Sequence, residues 1–132
     1  MMKRILYIII GVTLLLTSCD KEDSANGHLD GFWQMSSSPG ITWAFQGHIL
    51  ELRDVKKVHQ DIVMSFTREG DKLKLSDPYR VDRDSDDVAL KDADMLIPYG
   101  ISNTSTEFRI SELTSSRMVL DNNTTHLEFR KF

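Results

Sequence analysis

The chain has 132 residues, a single cysteine, and 16 basic residues against 20 acidic ones. Residues 19–132 hold all of the acidic residues and a formal charge of −6, which argues against nucleic acid, because that affinity needs basic patches that neutralise phosphate. These 114 residues suit one small domain with little room for a second core, and one cysteine leaves no intrachain disulfide and no thiolate metal cluster.

In chain order, Lys3 and Arg4 precede a mostly aliphatic run from Ile5 to Leu16, and Thr17 and Ser18 then lead into Cys19. A basic start, an apolar stretch and small residues before a cut are the parts of a secretory signal. The run is too short to cross a bilayer core of about 30 Å, which needs roughly 20 residues. The pattern resembles a bacterial lipoprotein signal peptide with its lipobox. That resemblance implies removal of residues 1–18 and acylation of the Cys19 thiol, so that the chain is anchored to the membrane by acyl chains of the palmitate kind. A plain secretory signal with a cysteine at its cleavage site is the alternative.

Residues 19–28 read as a flexible tether, since charged and small residues without apolar partners cannot offset their own ordering entropy. Lys21, Glu22 and Asp23 resemble the export signals that send some Bacteroidetes lipoproteins to the outer face of the outer membrane, and the expected location is therefore the cell surface. Asp23, Ser24 and Ala25 are similar to the short O-glycosylation pattern of that phylum, with Ser24 as the acceptor.

From residue 29 to 132 the dominant period is two. Trp43 and Phe45 share a face; after Gly47 the face continues on His48, Leu50 and Leu52, a phase slip that suggests a bulge or a sharp bend. Ile62, Met64 and Phe66 alternate with polar residues as a half-buried strand does. Glu69, Gly70 and Asp71 then supply a turn. Residues 86–92 look like a short helix or structured loop with acidic residues at its start. The run Asp82 to Asp87 opens like a calcium loop but lacks the glycine at position six and the glutamate at position twelve, so no metal is assigned. Phe108 with Ile110, Met118 with Leu120, and Leu127 with Phe129 repeat the strand pattern, separated by Ser115–Ser116 and Asp121–Asn123 turns. The expectation is an all-β antiparallel meander.

Gly31, Phe32 and Trp33 on the first strand, with Arg130 on the last, resemble the lipocalin arrangement. More narrowly, the chain resembles the small lipocalin-like lipoproteins of Bacteroidetes over Leu29–Met35, Tyr99–Ile101, Phe108–Leu113, Met118–Leu120 and Leu127–Phe132. It is shorter than ordinary lipocalins and lacks their Thr-Asp motif. The resemblance implies an eight-stranded barrel with one short helix, closed at one end by Gly31 and Trp33, with the Arg130 guanidinium packed across the indole.

Two functions follow. In the first, Trp43, Phe45, His48, Met64, Phe66, Phe108, Met118 and Phe129 line an interior that holds a small apolar ligand. Equally, such side chains can simply fill a small barrel. In the second, the domain is a surface-displayed inhibitor or adhesin that meets a protein or glycan through its loops. Residues 76–106 form the longest irregular stretch, and Tyr79, Tyr99 and the acids around Asp84 are the contact candidates. His28, His48, His59 and His126 are scattered and no serine sits in a nucleophile motif, so no catalytic residue, cofactor or enzymatic activity is expected.

Overall fold

The computed structural model describes residues 26–82 and 86–132. Cys19 and Ser24, most of the tether, and Asp84 in the calcium-like run lie outside the described residues. Nine strands follow in order: β1 Gly31–Met35, β2 Ile41–Gln46, β3 Ile49–Asp54, β4 Ile62–Glu69, β5 Lys72–Arg80, β6 Val88–Ala89, β7 Thr106–Leu113, β8 Arg117–Asp121 and β9 His126–Lys131. Eight of them close a barrel. Each of β1 to β5 pairs antiparallel with the next, β5 pairs with β7, and β9 returns to β1 with Trp33 opposite Lys131. Closure leaves no long edge to recruit another chain. The two-residue β6 pairs only with the far part of β5, with Tyr79 opposite Ala89.

The period-two pattern does the building. Ile62, Met64 and Phe66 of β4, Leu73 and Leu75 of β5, and Leu127 and Phe129 of β9 all point into one core. The register slips at Val63/Ser65 in β4 and at Ile110/Glu112 in β7. Such bulges bend a strand and help a small sheet to close.

Two expectations are corrected. The phase slip at Gly47 is a chain reversal: Gln46 pairs with Ile49, and Gly47 and His48 form the loop between β2 and β3. Gly47 takes φ 62° at the first loop position, a conformation glycine adopts without steric cost. The Gly70–Asp71 hairpin repeats the device, with Gly70 at φ 61°. Of the short helix or structured loop expected over 86–92, the chain forms the loop, in which Val88 and Ala89 are strand because Tyr79 and Arg80 offer them an unpaired edge. Helical turns occur instead at Gly27–Leu29 and Asp94–Tyr99, both 3-10. The expected irregular stretch 76–106 is also shortened, since β5 runs through Arg80.

Candidate functional site

The barrel has two ends of different construction. At the first, Trp33 is fully buried and its Nε1–H donates to Leu29 O at 2.8 Å. A cation does cover the indole, but it is Lys131 and not Arg130: Lys131 Nζ lies 4.7 Å from the ring centroid and donates to His28 O at 2.8 Å and Asp30 O at 2.6 Å. Alternation explains the correction. Phe129 faces inward, so Lys131 shares its side of β9, whereas Arg130 is exposed on the other, opposite Gln34 and Arg117. Gly31 makes room for the lysine; a Cβ there would meet Lys131 Cε at 2.7 Å, on a backbone at φ 126°. Asn26 is tied into this sealed end too. Its Nδ2 donates to Gly47 O at 3.1 Å and its carbonyl accepts from Arg68 Nη1 at 2.5 Å.

Between the ends, Trp43 packs against Phe129 at 4.9 Å between centroids, Phe45 at 6.1 Å and Phe108 at 6.2 Å, and Phe45 meets Phe66 edge-on at 5.0 Å. With Met64 and Met118, these are seven of the eight expected lining residues, and each is at most 2% exposed. A void large enough for a water molecule would leave accessible surface on the side chains around it. They have almost none, so the interior is filled. His48, the eighth, is not inside; it sits exposed in the β2–β3 loop.

At the other end, the 94–99 turn folds across the mouth. Leu96, Tyr99 and Ile101 are fully buried, Trp43 Nε1–H donates to Tyr99 O at 3.1 Å, and the Tyr99 hydroxyl donates to Gln60 O at 2.7 Å. Tyr99 is therefore a plug and not the surface contact expected of it. Burial pushes its phenol well above the usual range, with the Asp61 and Asp54 charges adding to the shift. Gly100 ends the turn at φ 85°, where a Cβ would lie 2.7 Å from Leu127 Cδ2.

Beside the plug, Asp54 organises the β3–β4 loop. Its Oδ1 accepts from Lys56 N at 3.0 Å and its Oδ2 from Val58 N and His59 N at 3.1 Å each. Burial alone would raise the Asp54 pKa, but the backbone donors of His59, Lys56 and Val58 outweigh it and hold the carboxyl below its ordinary value. Lys57 sits at φ 56° inside this loop, and the result is a shaped rim with Val55 and Val58 facing solvent. Met95 and Ile97 are exposed on the neighbouring turn, and His59 meets Tyr99 ring to ring at 6.4 Å. Two signals in the sequence could have found this rim: an aspartate ending a strand before a turn, and valines flanking a lysine pair.

On the outer wall, His126 Nδ1 bonds Asp121 and its Nε2 lies 3.3 Å from Glu128 Oε1. Ser111 donates to the same Asp121 carboxylate and not to His126. The carboxylate thus stands between hydroxyl and imidazole, and in this cluster the imidazole does not bond the hydroxyl. Among the described residues, no three potential ligands cluster to hold a metal.

The profile of the lipocalin-like domain family matches residues 14–132. Two crystal structures resemble the barrel. A lipocalin-like protein from Bacteroides uniformis is 17% identical at a TM-score of 0.58, covering 80% of this chain and 100% of that one. An uncharacterized protein from Bacteroides eggerthii is 14% identical at a TM-score of 0.51, covering 79% of this chain and 99% of that one. At such identities the likeness is one of fold. No curated protein matches the chain.

Proposed function

The chain belongs to the lipocalin-like domain family, whose barrel is a ligand-binding fold, and from that premise we propose that it is a lipid-anchored binding module that recognises its partner with its outer surface. Cys19 carries the acyl anchor at the outer membrane, the tether follows, and the barrel faces the cell exterior. The observation that carries this reading is the filled interior: Trp43, Phe45, Phe66, Phe108 and Phe129 leave no accessible space between them, and Leu96, Tyr99 and Ile101 cover the mouth. A filled barrel is a rigid scaffold, and rigid scaffolds recognise through what they display. What it displays at the mouth is the Asp54-capped rim, with Val55, Val58 and Ile97 exposed to a protein or glycan partner.

A second reading, a carrier of a small apolar ligand, draws on the plug itself. Its polar ties to the barrel include Trp43 Nε1–Tyr99 O and Tyr99 hydroxyl–Gln60 O, and its withdrawal would uncover Trp43. Titration of the protein with medium- and long-chain fatty acids, followed by tryptophan fluorescence, separates the two. Outer-surface recognition predicts no saturable change. A saturable change with one-to-one stoichiometry means that the plug opens, and would replace the first reading with the second.

A further inference from the structure

The sealed end carries an apolar patch on the outside of the barrel that neither its core nor its mouth explains. Phe132, Phe32 and Ile49 are 72%, 52% and 43% exposed. They lie near the same end: Phe132, just past β9, donates its N–H to Phe32 O at 3.0 Å, Phe32 of β1 pairs with Ala44 of β2, and Ile49 of β3 pairs with Gln46 across the β2–β3 hairpin. Phe32, Ala44 and Ile49 line one shallow groove with Glu51 and Arg53 at its upper side. Two exposed phenylalanines and an isoleucine in one place on a small domain mark a contact surface.

What covers it follows from where the tether enters. Asn26 is fixed to the β2–β3 loop through Gly47 O and to β4 through Arg68, so the chain arrives at the same end as the patch. Six residues separate Asn26 from Cys19, and a chain extends at most about 3.3–3.6 Å per residue, which keeps the sealed end within about 25 Å of the anchor. We propose that Phe132, Phe32 and Ile49, with the buried Ala44 flooring the groove between strands, form a lipid-contact face that rests on the bilayer surface when the protein is anchored. Phenyl and sec-butyl side chains partition into the headgroup and acyl boundary while the neighbouring Arg53 and Glu51 stay in the polar layer. The mouth with its Asp54 rim is then turned away from the membrane. This inference rests on the anchoring through Cys19.

The test uses the full-length lipidated protein on phosphatidylcholine vesicles, with and without bromine on the acyl chains. Phe32→Trp places an indole in the patch, and Ile97→Trp places one at the mouth. A lipid-contact face predicts that brominated lipid removes up to about a third of the emission of the Phe32→Trp protein, the share of one indole beside the buried Trp33 and Trp43, with none removed at Ile97→Trp. Vesicle flotation is read on the same samples. Protein that floats without quenching at Phe32→Trp keeps the anchor and overturns the contact face. The same result with a concentration-dependent dimer assigns the patch to a second copy and equally overturns it. Protein that fails to float overturns the anchoring, and the contact face falls with it.

Discussion

The two ends of this barrel are closed by different means. The sealed end is made from chain neighbours and the last strand: Trp33 bonds to a carbonyl four residues earlier and Lys131 covers its ring. The mouth is closed over a long loop, with Trp43 held to a carbonyl 56 residues away. One end is thus part of the sheet, whereas the other is a segment laid onto it. That difference suits a module with a fixed base and a surface at the far end that can vary. Long connections are also where binding residues concentrate.

The largest expected effect lies at the base. Trp33→Ala removes the biggest buried side chain of the sealed end and should cost about 3–5 kcal/mol in chemical denaturation; a change under about 1 kcal/mol would mean that the base is not integral to the core. At the mouth, Gly100→Ala forces a left-handed backbone and a Leu127 clash, with an expected cost of about 1–3 kcal/mol. Hydrogen exchange should speed up in residues 94–101 in that variant before it does in the strands. Uniform acceleration would show the plug to be as integral as the base.

Smaller effects sharpen the base itself. A double-mutant cycle of Trp33→Phe with Lys131→Met should return a coupling of about 0.5 kcal/mol or more, as a covered ring requires. The same cycle with Arg130→Met should be additive. Coupling at Arg130 in place of Lys131 would reverse the assignment.

Smallest of all is a pH effect on the outer wall, because the groups are exposed. Hydrogen bonds to Asp121 and then Glu128 raise the His126 pKa above its ordinary 6.5, so its contribution is complete below that value and is lost as pH rises through the higher folded one. Hydrogen bonds from Ser111 and His126 lower Asp121, and bonding to His126 with the nearby Arg117 charge lowers Glu128. Their contributions are present above the ordinary values of 3.8 and 4.5 and are lost as pH falls through the lower folded ones. The cluster therefore supports the fold best between 4.5 and 6.5. His126→Ala should flatten the pH dependence of the unfolding midpoint on both flanks of that window; an unchanged profile would show that the cluster adds nothing.

Much of the barrel is legible in the sequence because period two is a local property. Ile62, Met64 and Phe66 announce an inward face wherever the strand sits, and Glu69–Gly70–Asp71 announces a hairpin. The errors arise where meaning depends on distant pairing. After Gly47 the apolar phase shifts by one, and a bulge and a two-residue reversal leave the same trace in a linear pattern; only the pairing of Gln46 with Ile49 separates them. Arg130 is the exception, since local alternation from the inward-facing Phe129 is enough to put Lys131 on the core side of β9 and Arg130 on the outside. Tyr99 reads as a displayed aromatic in a long loop, and its burial depends on Trp43 and Gln60 reaching it from elsewhere in the chain. Patterns along a strand fix what faces inward, but only tertiary contacts reveal what closes the mouth.

A full barrel leaves recognition to its surface. Native mass spectrometry of the anchor-free protein, from residue 24 onward and purified directly from cells, tests it most directly. A filled barrel should give the mass of the polypeptide alone, before and after incubation with a fatty acid. A reproducible added mass at one-to-one stoichiometry, lost in a variant with Trp43→Ala, would place a ligand within the core and contradict it.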